Sequence, residues 1–337
     1  MFYEKPIFFE ANRVFRVYTG GKLLGKFVGK DYVDDFYPEE WVASSVTALN
    51  EGSTDPFEGV SKIEGADLYL SEAYEKYGDK ILGNKESLGI LVKYLDSAIR
   101  LPVQAHPDKE FSKKYLNSTH GKEECWYILD TREGASISFG FKEGVTKEGF
   151  VKAINDSETD KTAMENLIVN FPVKKGDVVF IPANTVHAIC AGCLILEVQE
   201  PTDFTIQPER YCGDYRLSDN EMYLGLVPEI ALKCFNFEQS ENPFVKPITV
   251  SDEKGVLVEQ LIGENQTDNF SLRRFTLSGG ELSLNKNAIY IVADGEGEIL
   301  GDGYKRELKK GDYFLLPHCA LDKFKVVSNN LEILACY

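Results

Sequence analysis

Residues 91–126 read LVKYLDSAIRLPVQAHPDKEFSKKYLNSTHGKEECW, and this stretch joins an apolar run to three potential metal ligands. Gln104 and His106 stand two apart on a predicted strand, so their side chains leave the same face of it. Glu124 follows 18 positions after the histidine, and His187 lies in a second apolar segment, GDVVFIPANTVHAI. On neighbouring strands these four residues would form a small nitrogen and oxygen site, which suits Zn²⁺ and also Mn, Co or Fe(II).

The segment around His187 fits the second motif of the cupin barrels, G-x5-P-x-G-x2-H. The match runs from Gly176 through Pro182 to His187, with Asn184 in the place of the second glycine. A tight turn at this place would bring the histidine side chain into the mouth of a β-barrel. The motif therefore favours His187 as a ligand over a histidine that only fills the core.

The chain contains a faint internal repeat. KKGDVVFIPANTVHA (174–188) and KKGDYFLLPHCALDK (309–323) align without gaps, and the second copy has Asp322 where the first has His187. Two copies of one β unit, of which only one keeps its metal residue, explain this pattern.

Short apolar runs bounded by Gly, Asn and Asp predict strands at both ends of the chain. In residues 1–60 the runs are PIFFEAN, VFRVYTG, GKLLGKF and WVASSVTAL, and residues 248–337 are almost entirely such runs. A spacing of roughly ten residues is typical of a sandwich or jelly roll. We expect a mainly β protein with helical insertions, made of two cupin (jelly-roll) β-barrel domains plus a helical segment.

Two domains are predicted, with a boundary in the turn-rich segment FEQSENPFVKP (237–247). Residues 1–240 would form the catalytic metal-binding cupin domain, and residues 241–337 a C-terminal cupin domain without metal ligands. Helical periodicity and capping residues place insertions in the first domain. The predicted helical insertions cover about residues 66–83, 107–117 and 145–166.

The composition is that of an acidic globular protein without disulfide staples. Hydrophobic residues make up 43% and charged residues 27% of the 337 positions, which are ordinary proportions. The net charge of −17 argues against nucleic acid or an anionic membrane surface as a partner. The seven scattered cysteines suggest no disulfide framework, and MFYEKPIFFEANR lacks the apolar core of a signal peptide. We therefore expect a reduced, cytoplasmic protein.

Three motifs in a fixed order resemble the zinc-dependent type I mannose-6-phosphate isomerases, also called phosphomannose isomerases. They are LVKYLDSAIRLPVQAHPDKE, GKEECWYILD and IPANTVHAICAGCLILEVQEPTD, and the opening EKPIFFE is similar too. The likeness covers roughly residues 1–240 and continues more weakly through the final barrel. It implies one Zn²⁺ per chain, held by the residues that match the family's ligands: Gln104, His106, Glu124 and His187.

The resemblance also implies the reaction, an aldose–ketose isomerisation between mannose 6-phosphate and fructose 6-phosphate. Moving a proton between C1 and C2 through a cis-enediol requires an acid–base group within hydrogen-bonding reach and stabilisation of the developing oxyanion. The partner would be a small-molecule sugar phosphate, and the assembly a monomer or a homodimer. The catalytic candidates are Lys122, Glu197, Asp203 and Arg210, and the substrate-binding candidates are Lys122, Arg100, His120 and Gln207.

Two positions depart from the family pattern. Pro102 stands where the family has a serine that binds phosphate, and Gln207 stands where it has an arginine expected to assist the enediol step. Arg210 or Arg216 from the same loop could replace that arginine. These departures keep two alternatives open: a non-catalytic cupin that senses or regulates by binding a sugar phosphate, and an isomerase of a related sugar phosphate.

Overall fold

The computed structural model describes residues 1–238 and 242–337, and its fold is mainly β. The first unit contains a six-stranded antiparallel sheet, in the order β1-β2-β3-β9-β4-β7, and a three-stranded sheet, β6-β5-β8. Its strands are β1 (Arg13–Val14), β2 (Glu39–Val42), β3 (Leu91–Asp96), β4 (Glu124–Thr131), β5 (Ser136–Phe141), β6 (Ile168–Pro172), β7 (Val178–Ile181), β8 (His187–Ile189) and β9 (Cys193–Gln199). A short hairpin follows, formed by β10 (Tyr211–Cys212) and β11 (Tyr215–Arg216).

The last third of the chain forms an eight-stranded sheet. Its main order is β12-β13-β14-β19-β16-β17, with β15 paired to β19 and β18 paired to β16. These strands are β12 (Ile248–Glu253), β13 (Val256–Ile262), β14 (Leu272–Leu277), β15 (Gly280–Ser283), β16 (Ile289–Gly301), β17 (Tyr304–Lys309), β18 (Tyr313–Leu315) and β19 (Phe324–Cys336). The predicted class, mainly β with helical insertions, is confirmed. The proposed domain boundary between residues 240 and 241 lies outside the described residues and stays a prediction.

Six α-helices interrupt the strands in the described part of the chain. They are α1 (Lys22–Val28), α2 (Leu70–Ile81), α3 (Lys109–Tyr115), α4 (Lys147–Asp156), α5 (Asp219–Tyr223) and α6 (Pro228–Ala231). Helices α2, α3 and α4 lie inside the three predicted insertions. Side chains cap two of them, because Asp108 accepts from Phe111 N at the start of α3 and Thr146 accepts from Gly149 N at the start of α4. Within the described residues, each helix is too short or too polar to cross a membrane.

The run GKLLGKF was expected to form a strand, and this prediction is wrong, because residues Lys22–Val28 form α1. The cause is a distant carboxylate. Asp96 at the end of β3 accepts hydrogen bonds from the backbone N–H groups of Gly21, Leu23 and Leu24, at 2.7–3.1 Å. It thereby satisfies the free donors at the start of the helix. Gly29 ends the helix with a φ of 70°, a left-handed conformation that suits glycine.

The two repeat copies begin with equivalent strands. β7 and β18 start at aligned positions and pair with β4 and β16 respectively, each of which is next to last in the strand order of its sheet. After β7 the chain turns at Asn184, whose φ is 65°, and enters β8 at His187. After β18 it forms a 3-10 turn, His318–Ala320, and Asp322 lies in a second turn rather than a strand. The tight turn predicted by the cupin motif is therefore present in the first copy, and Asn184 adopts a left-handed conformation in it.

Candidate metal centre

Three separate segments bring the predicted ligands to one buried place. Glu124 is the first residue of β4, and His187 is the first residue of β8. Gln104 forms a two-way backbone bridge with His187, since each N–H lies 2.9 Å from the other's carbonyl oxygen. His106 follows two residues later on the same extended segment. The ligand atoms of His106, Glu124 and His187 all lie within 4.8 Å of one another, and all three residues are buried.

Backbone carbonyls orient both imidazole rings. His106 Nδ1 donates to Phe204 O and His187 Nδ1 donates to Thr185 O, each at 2.9 Å. A carbonyl can only accept, so each ring carries its proton on Nδ1 and presents the lone pair of Nε2. The two Nε2 atoms lie 3.1 and 3.4 Å from oxygens of Glu124. This arrangement, in which the second ring nitrogen fixes the tautomer, is usual for metal-binding histidines.

The cluster fits a cation. His187 Nε2 is buried with no hydrogen-bond partner among the described residues, and an orphaned buried acceptor is costly unless something binds it. Lys122 Nζ lies 2.7 Å from both His106 Nε2 and Glu124 Oε2, so a positive group already stands beside the same ligand atoms. One carboxylate and two imidazole nitrogens are donors that divalent transition metals accept. This His–Glu–His cluster can hold a metal ion.

Electrostatics keep the ligands in the states that a metal requires. Burial, reinforced by Lys122, lowers the pKa of His106 to about 3, so its ring is neutral near pH 7. Burial also lowers the pKa of His187. Burial alone would raise the pKa of Glu124, but Lys122 and His106 outweigh it and hold this pKa well below its usual value. Two neutral imidazoles and one carboxylate are therefore available at neutral pH.

A polar cleft of about 490 Å³ opens beside this cluster. Its lining includes the following residues predicted for the site: Gln104, Lys122, Glu197, Asp203 and Gln207. Trp126 links the cleft to the cluster, because its Nε1 lies 3.1 Å from Glu124 Oε1 and 3.2 Å from Glu197 Oε1. The volume lies in the range of small-molecule sites.

No family model matches the chain. Comparisons with individual proteins and solved structures nevertheless agree on one family. It is 34% identical over 264 residues to the mannose-6-phosphate isomerase ManA of Bacillus subtilis, which covers 76% of this chain and 78% of that protein. The chain belongs to the type I mannose-6-phosphate isomerase family.

Solved structures place this family member in a known fold. A crystal structure of the mannose 6-phosphate isomerase from Bacillus subtilis matches with a TM-score of 0.79 and 25% identity, over 98% of this chain and 99% of that one. A mannose 6-phosphate isomerase bound with zinc and yttrium matches with a TM-score of 0.71 over 98% and 99% of the two chains. Its identity of 16% makes that second likeness one of fold alone.

Three of the predicted catalytic and substrate-binding residues of this isomerase-family chain lie outside the cleft lining. Arg100 is bound in two-pronged fashion to Glu209, with N–O distances of 2.8 and 2.7 Å. Arg210 donates to Leu217 O and Asp219, each at 2.8–2.9 Å. The His120 side chain is exposed. The structure thus brings the candidate ligands His106, Glu124 and His187 together beside the cleft lined by Lys122 and the two acids, and it leaves these three residues apart from them.

Arg216, the other arginine considered as a replacement for the one missing at Gln207, pairs with Glu158 at 2.7 Å and has a half-exposed side chain. Gln207 itself lines the cleft, and its Nε2 donates to Glu221 O at 3.3 Å. At the position of the missing arginine the cleft therefore has a neutral amide, and both Arg210 and Arg216 are engaged with acids elsewhere.

Sequence reasoning missed a connected group of three charged residues in the cleft, Lys93, Glu39 and Arg16. Lys93 Nζ lies 3.2 Å from Glu197, 3.7 Å from Asp203 and 3.9 Å from Glu39. Arg16 contacts Asp203 and Glu39 as well, at 3.0 Å each. A lysine inside the apolar run LVKYLD was the available signal for Lys93, because a buried charge requires partners. Nothing in the local sequence distinguished Arg16.

The pKa shifts of this network follow from its contacts. Burial opposes charge on every member, but Arg16 and Lys93 outweigh it at Glu39 and lower that pKa to about 2. The surrounding acids, led by Glu39, raise the pKa of Lys93 despite its burial. Burial and the nearby Glu124 raise the pKa of Glu197.

Proposed function

We propose that this chain interconverts mannose 6-phosphate and fructose 6-phosphate by proton transfer through a cis-enediol. The observation that carries the proposal is the buried His106–Glu124–His187 cluster, with both imidazole lone pairs directed at the carboxylate, beside a polar cleft. Membership of the isomerase family supports the substrate pair.

We propose Zn²⁺ as the resident ion, one per chain, held by Gln104, His106, Glu124 and His187. The mixed nitrogen and oxygen donors support zinc, and so does the zinc-bound structure of similar fold. Gln104 belongs to the proposed set because its backbone is bridged to His187 and its side chain borders the cleft. When bound, the ion would supply Lewis-acid polarisation of substrate oxygens and stabilise enediolate charge.

The protein's own groups would position the sugar and move its protons. Glu197 is the proposed acid–base group, because its carboxylate borders the cleft and shares the Trp126 N–H with the ligand Glu124. The Lys93 ammonium, 3.2 Å from the Glu197 carboxylate, would hold that carboxylate in place. Asp203 is fixed by Arg16 and is proposed to orient the sugar hydroxyls.

Lys122 would bind a substrate oxygen near the cluster, since its ammonium can rotate towards the cleft that it lines. The roles predicted for Arg100, His120, Gln207 and Arg210 remain proposals. For Arg100 and Arg210 they require the guanidinium to leave the acids that bind it here.

The direct test is turnover of mannose 6-phosphate by the purified chain, with metal content measured beside it. We expect conversion to fructose 6-phosphate, loss of activity after chelation, and recovery when Zn²⁺ is returned. Absence of turnover in metal-loaded protein would overturn the proposal. Thermal stabilisation by the substrate without conversion would instead support a sugar-phosphate-binding regulator, and a panel of other aldose phosphates would identify an isomerase of a related substrate.

The setting of the protein is proposed as well. We propose a cytoplasmic enzyme, monomeric or homodimeric, whose partner is a small sugar phosphate. The net charge of −17 supports the exclusion of nucleic acid. Light scattering after size-exclusion chromatography would distinguish the two assemblies, since the chain has a mass of 37.9 kDa.

A further inference from the structure

Arg16 is the one arginine among the described residues that line the cleft. Its Nε donates to Glu39 at 3.0 Å, and its Nη2 lies 3.0 and 3.1 Å from the two oxygens of Asp203. Its Nη1 donates to the side-chain oxygen of Asn50 at 3.1 Å. The side chain retains 12% exposure. The guanidinium is therefore held by two carboxylates, while its remaining nitrogen meets a neutral amide.

The cleft is short of positive charge for a phosphorylated substrate. Five carboxylates and three cations line it. Lys122 stands at the metal cluster, and Lys93 has three carboxylates within 4 Å. A phosphate dianion forms strong, charge-assisted hydrogen bonds with a guanidinium, and these form at least cost where an N–H group is not already paired with a carboxylate. Arg16 Nη1 meets this condition, because only an amide oxygen would have to be displaced.

Asn50 stands where the cleft opens. It follows Leu49, which lines the cleft and is 52% exposed. Its amide nitrogen also donates to Phe15 O at 3.0 Å. This bond would keep the Asn50 side chain in place when Arg16 no longer donates to the Asn50 oxygen. A phosphate arriving from solvent therefore meets Arg16 Nη1 near the mouth, and the sugar can extend from there towards Glu197 and the metal cluster.

The loop after β9 cannot supply this cation in the observed arrangement. Its residues in the cleft are Asp203, Phe204, Thr205 and Gln207, which include no cation, and Arg210 and Arg216 are bound to acids outside the lining. Arg16 comes instead from the N-terminal segment and reaches Asp203 of that same loop. A guanidinium fixed on two sides suits phosphate recognition, because little conformational entropy remains to be lost on binding.

We propose that Arg16 is a substrate-specificity residue that binds the phosphate group, with Nη1 exchanging the Asn50 oxygen for a phosphate oxygen. Glu39 and Asp203 hold the guanidinium in place. This inference rests on the proposed function for the identity of the sugar, but its core, an oxyanion site at Arg16, can be measured without turnover.

The test compares Arg16→Gln and Arg16→Lys with Arg306→Gln. Arg306 makes a similar two-pronged pair with Glu64, at 3.1 and 2.9 Å, on the surface. For Arg16→Gln we expect the KM for mannose 6-phosphate to rise about 10- to 100-fold, the loss of a charged hydrogen bond, and kcat to fall by a smaller factor because Asp203 loses its partner. The inhibition constant of inorganic phosphate should weaken by a similar factor, and added guanidinium should restore part of the affinity. Arg306→Gln should match the wild type.

Two further variants keep the proposal testable where Arg16 variants fold poorly. Asn50→Asp should raise the KM and the phosphate inhibition constant, because a carboxylate competes for Nη1. Asn50→Ala should leave both unchanged or lower them. Unchanged KM and phosphate inhibition in Arg16→Gln or in Asn50→Asp would overturn the proposal. A fall in kcat alone would also overturn it, since Arg16 would then act at the reacting carbons.

Phosphate-induced thermal stabilisation separates this inference from the proposed function. If the wild type does not isomerise mannose 6-phosphate but its stabilisation by inorganic phosphate is lost in Arg16→Gln, the oxyanion site stands and the isomerase proposal fails. If turnover is found and the phosphate response is the same in wild type and variant, the isomerase proposal stands and the site at Arg16 fails.

Discussion

Each copy of the repeat begins with an equivalent strand, but the interiors that the two copies help to enclose differ. In the first copy, the chain after β7 leads to His187 and a buried cluster of polar and charged side chains. In the second copy, the chain after β18 leads to a turn, and the interior is a continuous apolar cluster that includes Tyr290, Phe314 and Ile333. The first interior carries desolvation costs that the second avoids. One β unit can thus support either a chemical site or a stabilising core, depending on a few inward-facing residues.

Removing the metal residue of the first copy should have the largest effect. His187→Ala should lower kcat/KM by about a thousandfold or more, because the ligand set loses a nitrogen donor. Bound zinc, measured by elemental analysis, should fall with it. Asp322→Ala at the aligned position of the second copy is the control and should retain metal and activity. Equal losses in both variants would contradict the difference between the copies.

Opening the apolar interior of the second copy should affect stability and not chemistry. Phe314 is completely buried, so Phe314→Ala should lower the free energy of unfolding by about 3–5 kcal/mol. Urea unfolding measures this change, and Val250→Ala, at a residue 54% exposed, is the control. Protein that still folds should keep its KM. A large rise in KM would show that the second barrel shapes the cleft.

The charged interior of the first copy should respond to acid. Glu39 has a pKa of about 2 in the folded protein against an ordinary 4.5. A lowered pKa contributes stability that is present above about pH 4.5 and lost as the pH falls towards 2. The full contribution is about 3 kcal/mol. The stability difference between wild type and Glu39→Gln, measured by urea unfolding, should therefore shrink as the pH is lowered from 6 to 3.5.

Its neighbour Glu40 supplies a control of opposite sign. Burial raises the pKa of Glu40, so its ionisation disfavours the folded state at neutral pH, and this penalty is relieved as the pH falls. Glu40→Gln should therefore increase the free energy of unfolding most near neutral pH. The hydroxyl of Tyr313, which donates to Glu40 at 2.9 Å, reduces the size of this effect. The same pH trend in both variants would contradict the assignment of opposite shifts.

Substitutions in the turn at Asn184, where the two copies differ, should give the smallest effect. Asn184→Gly restores the motif glycine and suits the φ of 65°, but it loses the bond from Asn184 Nδ2 to Asp108 at 2.6 Å. These changes oppose each other, so thermal unfolding should show a net change within about 1 kcal/mol. Asn184→Val should cost more, because β-branched residues disfavour positive φ. Cys319→Gly at the aligned position of the second copy should leave metal binding unaltered.

Much of the fold could be predicted because its signals are local. Short apolar runs with glycine turns indicated the strands of residues 248–337, and the periodic face of residues 70–81 indicated α2. The runs in residues 1–60 form strands only at Arg13–Val14 and Glu39–Val42. The candidate ligands were predictable because their residue types and spacings are unusual, and the structure brings His106, Glu124 and His187 together. The helix α1 was missed because its cap, Asp96, lies more than 70 residues away.

The sequence by itself determined the fold class, the family and the chemical character of the metal cluster, since all three are written in short motifs. Tertiary structure alone decided which charges face the substrate. It bound Arg100 and Arg210 to acids elsewhere, and it brought Arg16 to Asp203, 187 positions further along the chain. The physical reason is that a buried charge is stabilised by whichever opposite charges the folded chain places within 4 Å. Those partners are set by strand register and loop packing, which no local pattern contains.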